Sequence, residues 1–116
     1  MIEIVRVQQA IEKNAHFLER VYTVQEIAYC KRKANPWQSF AARFAAKEAV
    51  GKAFGTGIGM LGLNNIEIIS ETGGQPKVVL HGAAKEQALL RNIRQVHISL
   101  SHSKEYAIAT AVLEGE

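Results

Sequence analysis

Apolar residues recur at three- and four-residue steps across residues 2–18, where Ile4, Val7, Ile11, Ala15 and Leu18 build one face of a predicted helix. Thr23-Val24-Gln25-Glu26 then has the form of a capping box, with Tyr22 and Ile27 placed for a hydrophobic staple, and predicts a helix to about residue 33. Asn35-Pro36 supplies a cap and a tolerated first-turn proline for a third helix through residue 54, which Gly55 ends. Four glycines among the eight residues 55–62 predict a loop. Residues 65–69 and 76–80 read as strands flanking Glu71-Thr72-Gly73-Gly74-Gln75, a hairpin signal. A short amphipathic helix over residues 82–93 carries Ala84, Ala88 and Leu89. Residues 96–100 and 107–113 form a second strand pair turning at Ser103-Lys104-Glu105. Three helices, a hairpin, a helix and a hairpin predict an α+β fold, with N-terminal helices packed on a mostly antiparallel sheet.

Composition narrows the class. At 116 residues, with no repeat or low-complexity linker, residues 1–116 read as a single domain. The 47% apolar and 22% charged content is ordinary for a globular protein and argues against disorder. No apolar run reaches the ~18 residues that cross a bilayer, and Met1-Ile2-Glu3-Ile4-Val5-Arg6 mixes charge into its apolar stretch, which excludes a signal-peptide core. One cysteine, Cys30, excludes an internal disulfide and a multi-cysteine zinc site. The expectation is a soluble, cytoplasmic protein.

Charge is uneven. Residues 1–54 hold nine Lys/Arg against five Glu, whereas residues 55–116 hold five against six, so the basic excess predicts an acidic or phosphorylated partner for the N-terminal half. Arg6, Lys13 and Arg20, spaced by seven, share a helical face away from the apolar stripe, with Ala10 and Phe17 among them. A helix break before residue 20 would loosen that alignment. All eleven acids are glutamates, and the chain contains no aspartate.

Several patterns carry candidate chemistry, each beside a plain alternative. Gly57-x-Gly59-x-x-Gly62 matches the dinucleotide fingerprint in letters, but it follows a helix and precedes a strand, the reverse of the required context. It reads either as a helix-ending connection or as a backbone cradle for phosphate. In the helix carrying Arg43, the residues Ala45, Ala46, Ala49, Val50 and Ala53 share an arc small enough to approach a sheet closely. Glu48 and Lys52, four apart, lie together on another arc. They form either an exposed pair stabilising the helix by a few tenths of a kcal/mol (roughly) or a unit in which Glu48 holds a divalent cation and Lys52 reaches a phosphate. His16, His81, His97 and His102 show no zinc spacing. Ser99, Ser101 and His102 lack an aspartate and a nucleophile elbow, which argues against a serine hydrolase. His97, Ser99 and Ser101 share one strand face, either solvated or facing a ligand. Lys31-Arg32-Lys33 suits a solvated helix end and lacks the aromatics of a nucleic-acid site.

Together these residues resemble a known family. Arg43-Phe44-Ala45-Ala46-Lys47-Glu48-Ala49 followed by Lys52-Ala53-Phe54-Gly55-Thr56-Gly57-Ile58 closely resembles the signature of the holo-[acyl-carrier-protein] synthases, the small trimeric 4′-phosphopantetheinyl transferases. Phe17-Leu18-Glu19-Arg20-Val21-Tyr22-Thr23 with Glu26, Gly74-Gln75-Pro76, and His97-Ile98-Ser99-Leu100-Ser101-His102 match in order, so the resemblance covers nearly the whole chain. It implies Mg²⁺-dependent transfer of the 4′-phosphopantetheine arm of coenzyme A to a serine of acyl carrier protein, releasing adenosine 3′,5′-bisphosphate. It further implies Glu48 as metal ligand and Lys52 on the diphosphate, the two catalytic residues. Arg43, Lys52, Gly55, Thr56, Gly57, His97 and Ser101 would line the coenzyme A site. Acyl carrier protein would dock on Arg6, Lys13, Phe17 and Arg20. A homotrimer with active sites between subunits, without nucleic acid or membrane, completes the expectation. The family's opening Gly-x-Gly-x-Asp strand would align with its metal-binding aspartate directly before Met1, so the chain as written is expected to lack one sheet strand and to bind metal and turn over weakly. The alternative is a non-catalytic domain binding acidic protein or nucleic acid through its basic half.

Overall fold

The computed structural model describes residues 1–70 and 75–115. Its helices are α1 (Ile4–Lys13), α2 (Phe17–Val21), α3 (Val24–Lys31), α4 (Pro36–Phe54), α5 (Ile58–Leu61) and α6 (Gly82–Leu90). The strands are β1 (Ile2–Glu3), β2 (Ile66–Ile69), β3 (Lys77–Leu80), β4 (Ile93–His102) and β5 (Tyr106–Gly115). Among the described residues every strand pairing is antiparallel, in two sheets of order β1-β5-β4 and β2-β3. The α+β expectation holds.

Local signals place most boundaries. Thr23 and Glu26 form the reciprocal capping box, Thr23 N–H donating to Glu26 Oε1 at 2.8 Å and Glu26 N–H to Thr23 Oγ1 at 3.2 Å. Asn35 caps α4 with Pro36 at its first position, and Gly55 ends it at φ 78°, where an L side chain would be strained. The β4–β5 turn closes where predicted, with Ser103 N–H donating to Tyr106 O at 2.8 Å.

Four expectations need correction. Ile2 and Glu3 are extended, pairing with Ala107 and Tyr106, so the first helix starts at Ile4 and the sheet gains a two-residue edge strand there. That helix also breaks at residues 14–16, where Asn14 leaves helical geometry and its Oδ1 accepts from His16 N–H at 3.0 Å. The glycine segment is not wholly loop: Gly57 and Gly62, both at positive φ, bracket the one-turn α5 and leave only Gly59 inside it. Finally, α6 ends at Leu90, with Asn92 left-handed at φ 56°, and Leu89 is exposed rather than on the apolar face with Ala84 and Ala88. The hairpin turn expected at Glu71-Thr72-Gly73-Gly74, including the matched Gly74, lies outside the described residues.

Helix α4 is the axis of the molecule. Its first half packs Phe40, Ala41, Ala42 and Ala45 against Ile4, Val7, Val21, Tyr22 and Cys30. Its second half packs Ala46, Val50 and Phe54 against Leu61, Ile66, Ile68, Ala84, Ala88 and Ile98. A helix buried on most sides needs small residues where backbones approach. Of the predicted arc, Ala45, Ala46 and Val50 are buried, Ala49 partly so, and Ala53 is exposed. The buried arc of the last turn centres instead on Val50, Gly51 and Phe54. A Cβ on Gly51 would lie 2.7 Å from the Ile58 Cγ2 methyl, so this glycine brings α5 against α4.

Candidate active site

Glu48 and Lys52 stand together, as their spacing predicts, and line a small cleft of about 130 Å³ with Gly57 and Ile58. Among the described residues neither is paired with the other. Their charged ends are available to a ligand, and the simple helix-stabilising pair is not formed. Gly55 and Gly57 hold left-handed φ values of 78° and 74°, and between them the Thr56 hydroxyl is buried without a hydrogen-bond partner. A buried hydroxyl in that condition costs stability, which suits a segment shaped around a ligand. No group of three or more metal-ligating side chains exists among the described residues. One carboxylate with neighbouring substrate phosphates is an ordinary Mg²⁺ donor set, so Glu48 fits a metal that arrives with a diphosphate and not a preformed metal cage.

Arg43 is elsewhere. Its side chain is 3% exposed and sits in a cavity of about 300 Å³ lined by Glu26, Tyr29, Arg32, Glu67 and Ser70. One guanidinium Nη donates to Ser70 Oγ at 2.9 Å, the guanidinium lies 4.3 Å from the Tyr29 ring centroid, and Nε is buried without a partner. A hydrogen bond from Lys33 holds the Tyr29 phenol below its ordinary pKa; burial opposes this, and the charges on Lys33 and Arg43 add to it. Two arginines and two glutamates line the cavity, and the unpaired Arg43 Nε–H is a buried donor that fits an acceptor such as a phosphate oxygen.

Lys47, beside Glu48, is fully buried. Its Nζ donates to Glu26 Oε1 at 2.8 Å, to Leu63 O at 3.0 Å and to Ile66 O at 2.5 Å. Burial pulls its pKa down, and the Glu26 carboxylate works against that pull. Glu26 Oε2 accepts from Ile68 N–H at 2.9 Å, so one ion pair ties α3, α4 and β2 together beside the Arg43 cavity, which Glu26 lines. Nearby, Glu67 accepts from Thr23 Oγ1 at 2.7 Å and contacts His81 Nε2 at 2.9 Å. Burial alone would raise the Glu67 pKa, but these hydrogen bonds and the nearby His81 and Lys47 hold it below the usual range.

The remaining predicted residues form separate surfaces. His97, Ser99 and Ser101 face outward on β4 opposite Val112, Thr110 and Ile108, and His97 Nε2 meets Glu114 Oε1 at 2.8 Å. No hydrogen bond joins Ser99 or Ser101 to a histidine among the described residues, so the hydrolase arrangement is not assembled. Arg6 pairs with Glu3 at 3.2 Å, while Lys13 and Arg20 are exposed on separate helices because of the break at residues 14–16. Phe17 is partly buried, its ring 6.2 Å from Phe44 and 6.4 Å from Tyr22.

One chain thus carries a carboxylate–ammonium cleft with a glycine segment, and apart from it a cavity in which Arg43 keeps an unpaired donor. The profile of the 4′-phosphopantetheinyl transferase superfamily matches residues 2–111. The chain belongs to that superfamily. A holo-[acyl-carrier-protein] synthase from Moorella thermoacetica is 45% identical over 114 residues, spanning 98% of this chain and 89% of that one. The Helicobacter pylori holo-[acyl-carrier-protein] synthase solved in complex with coenzyme A is 33% identical, with a TM-score of 0.84, over 97% of this chain and 95% of that one. A holo-(acyl-carrier-protein) synthase from Bacillus anthracis, solved with CoA (3′,5′-ADP), is 35% identical with a TM-score of 0.79, over 99% and 91%. The described residues of this transferase-family chain include no helix long and apolar enough to cross a membrane.

Reasoning from sequence missed Tyr29, Arg32 and Ser70 around Arg43, and the Glu26–Lys47 pair. A signal for the pair was present: Lys47 lies between the apolar Ala46 and Val50 of the buried helix, where a charge requires a partner.

Proposed function

We propose that this chain is a holo-[acyl-carrier-protein] synthase, transferring 4′-phosphopantetheine from coenzyme A to a serine hydroxyl of acyl carrier protein. The observation that carries this reading is the shared cleft of Glu48, Lys52, Gly57 and Ile58 in a chain of this superfamily. The serine oxygen forms a bond to the phosphorus bearing the pantetheine arm. The bond from that phosphorus to the bridging oxygen breaks, and adenosine 3′,5′-bisphosphate leaves with that oxygen. The serine proton passes to solvent, directly or through Glu48. Lys52 holds the diphosphate and offsets charge developing on it. Backbone at Gly55, Thr56 and Gly57 lines the same ligand. Glu48 would hold Mg²⁺, whose chemistry here is to spread charge over the diphosphate oxygens. Arg43, with its unused Nε–H, receives a phosphate of the nucleotide.

Arg43, the Glu48–Lys52 cleft and the His97–Ser101 face are separate on one chain, which supports active sites completed between subunits of a homotrimer. Ile108 and Val112, exposed beside that strand face, provide apolar surface for such contacts. The acidic carrier protein meets Arg6, Lys13 and Arg20, with Phe17 at the patch.

The deciding assay incubates the chain with coenzyme A, Mg²⁺ and apo carrier protein and weighs the carrier, which gains about 340 Da when modified. Glu48→Gln and Lys52→Met should each lower kcat/KM by about a hundredfold or more. An unmodified carrier, or full turnover in both variants, refutes the assignment.

A further inference from the structure

The proposed diphosphate position lies just past the C-terminal end of α4, the wrong pole of a helix for an anion. The last carbonyls of a helix lack intrahelical partners and carry about half a negative charge. Lys52 occupies that last turn, and Gly55 turns the chain directly after it. The following α5 is one turn long, too short to present a compensating positive pole.

A cation from a distant part of the sequence meets this end. Arg91, the C-cap residue of α6, donates from its guanidinium to the carbonyl oxygen of Phe54. Its guanidinium carbon also lies 5.9 Å from the Phe54 ring centroid. That carbonyl belongs to the peptide leading into Gly55. Among the described residues no carboxylate pairs with Arg91, so its charge is left to the carbonyl ends of α4 and of its own helix α6. The far side of the glycine segment is tied to the start of α6. Asn65 Nδ2 donates to Leu61 O at 2.9 Å, and Asn65 O accepts from the N–H of His81, the N-cap residue of α6, at 2.8 Å.

We infer that Arg91 is a positioning residue for coenzyme A: it neutralises the carbonyl end of α4 and fixes the entry to Gly55-Thr56-Gly57, so that a diphosphate is accepted there. This rests on the proposed use of that segment. Arg91 acts through the Phe54 carbonyl and stands apart from the Glu48–Lys52 pair.

The test compares the native chain with Arg91→Gln and Arg91→Lys for equilibrium binding of coenzyme A and of dephospho-coenzyme A, without divalent metal and at two salt concentrations. Arg91→Gln should weaken both ligands equally, about three- to tenfold at low salt, with a smaller gap at high salt. KM for coenzyme A should rise by the same factor while kcat stays within about twofold. Arg91→Lys should recover most of the loss, because the charge is kept. Unchanged affinity in Arg91→Gln overturns the inference. So does a loss that lysine fails to recover, which would mark ring packing on Phe54, or a loss confined to coenzyme A, which would place the effect at the 3′-phosphate. A native chain that neither binds coenzyme A nor modifies the carrier removes the proposed function and this inference together. Native activity with an indifferent Arg91→Gln removes this inference alone.

Discussion

Replacing Lys47 with methionine keeps the length of the side chain and removes its charge from the centre of the molecule. Glu26 Oε1 then loses the ammonium but keeps the Thr23 N–H, and Oε2 keeps the Ile68 N–H. The carbonyls of Leu63 and Ile66 lose a donor in the same step. Removing one member of a buried ion pair costs about 3–5 kcal/mol, because the other charge stays buried and uncompensated. At about 2.1 cal/mol/K per residue of unfolding entropy, that corresponds to a fall in Tm of roughly 12–20 °C for a chain of this length. Urea unfolding followed by circular dichroism measures it, with Glu26→Gln and the double variant closing a cycle. The double variant should cost at least about 2 kcal/mol less than the sum of the singles, since the second change relieves the charge stranded by the first. A Lys47→Met cost below about 1 kcal/mol, or additive singles, would refute the buried pair as the element joining α3, α4 and β2. Because its folded pKa is depressed, Lys47 binds fewer protons folded than unfolded as pH approaches the ordinary lysine value, so its contribution to stability rises with pH in that range.

Three further outcomes are expected. Mixed in equal amounts and allowed to exchange subunits, Glu48→Gln and His97→Ala should regain about a quarter of native activity if each site draws Glu48 from one subunit and His97 from its neighbour; no recovery argues that sites are not shared. Burial pushes the Cys30 thiol up to about 11 from 9.0, so the folded state keeps a proton the unfolded chain has lost, and stability falls as pH rises between those values. Urea titrations of native and Cys30→Ala proteins should therefore diverge by about 2 kcal/mol from pH 9 to 11, and parallel curves would contradict the shift. Reversing Arg6 and Arg20 to glutamate should raise KM for the carrier at low salt about tenfold or more while leaving KM for coenzyme A unchanged, a split visible in steady-state kinetics.

Several features built from groups close in sequence were legible from chain order alone, although the break at Asn14–His16 and the turn of α5, equally local, were not. The Thr23–Glu26 box, the Asn35-Pro36 start, the Gly55 stop and the alternation that turns Ser99 and Ser101 outward each involve partners within a few residues, and each is found. The family was legible too, because its signature is one contiguous stretch of helix and glycine segment. The same local logic kept Glu48 beside Lys52, one turn apart.

Tertiary packing decided the rest. Periodicity put Arg43 and Glu48 on one helix without saying that the first enters a cavity made by α3 and β2 while the second faces α5. Lys47 finds Glu26 across 21 residues, and Arg91 finds Phe54 across 37. The pattern of apolar positions records how each helix turns, whereas the partner of a buried charge depends on which elements are pressed together around α4. Burial makes an unpaired charge too costly to leave, so the fold determined which distant residues had to meet.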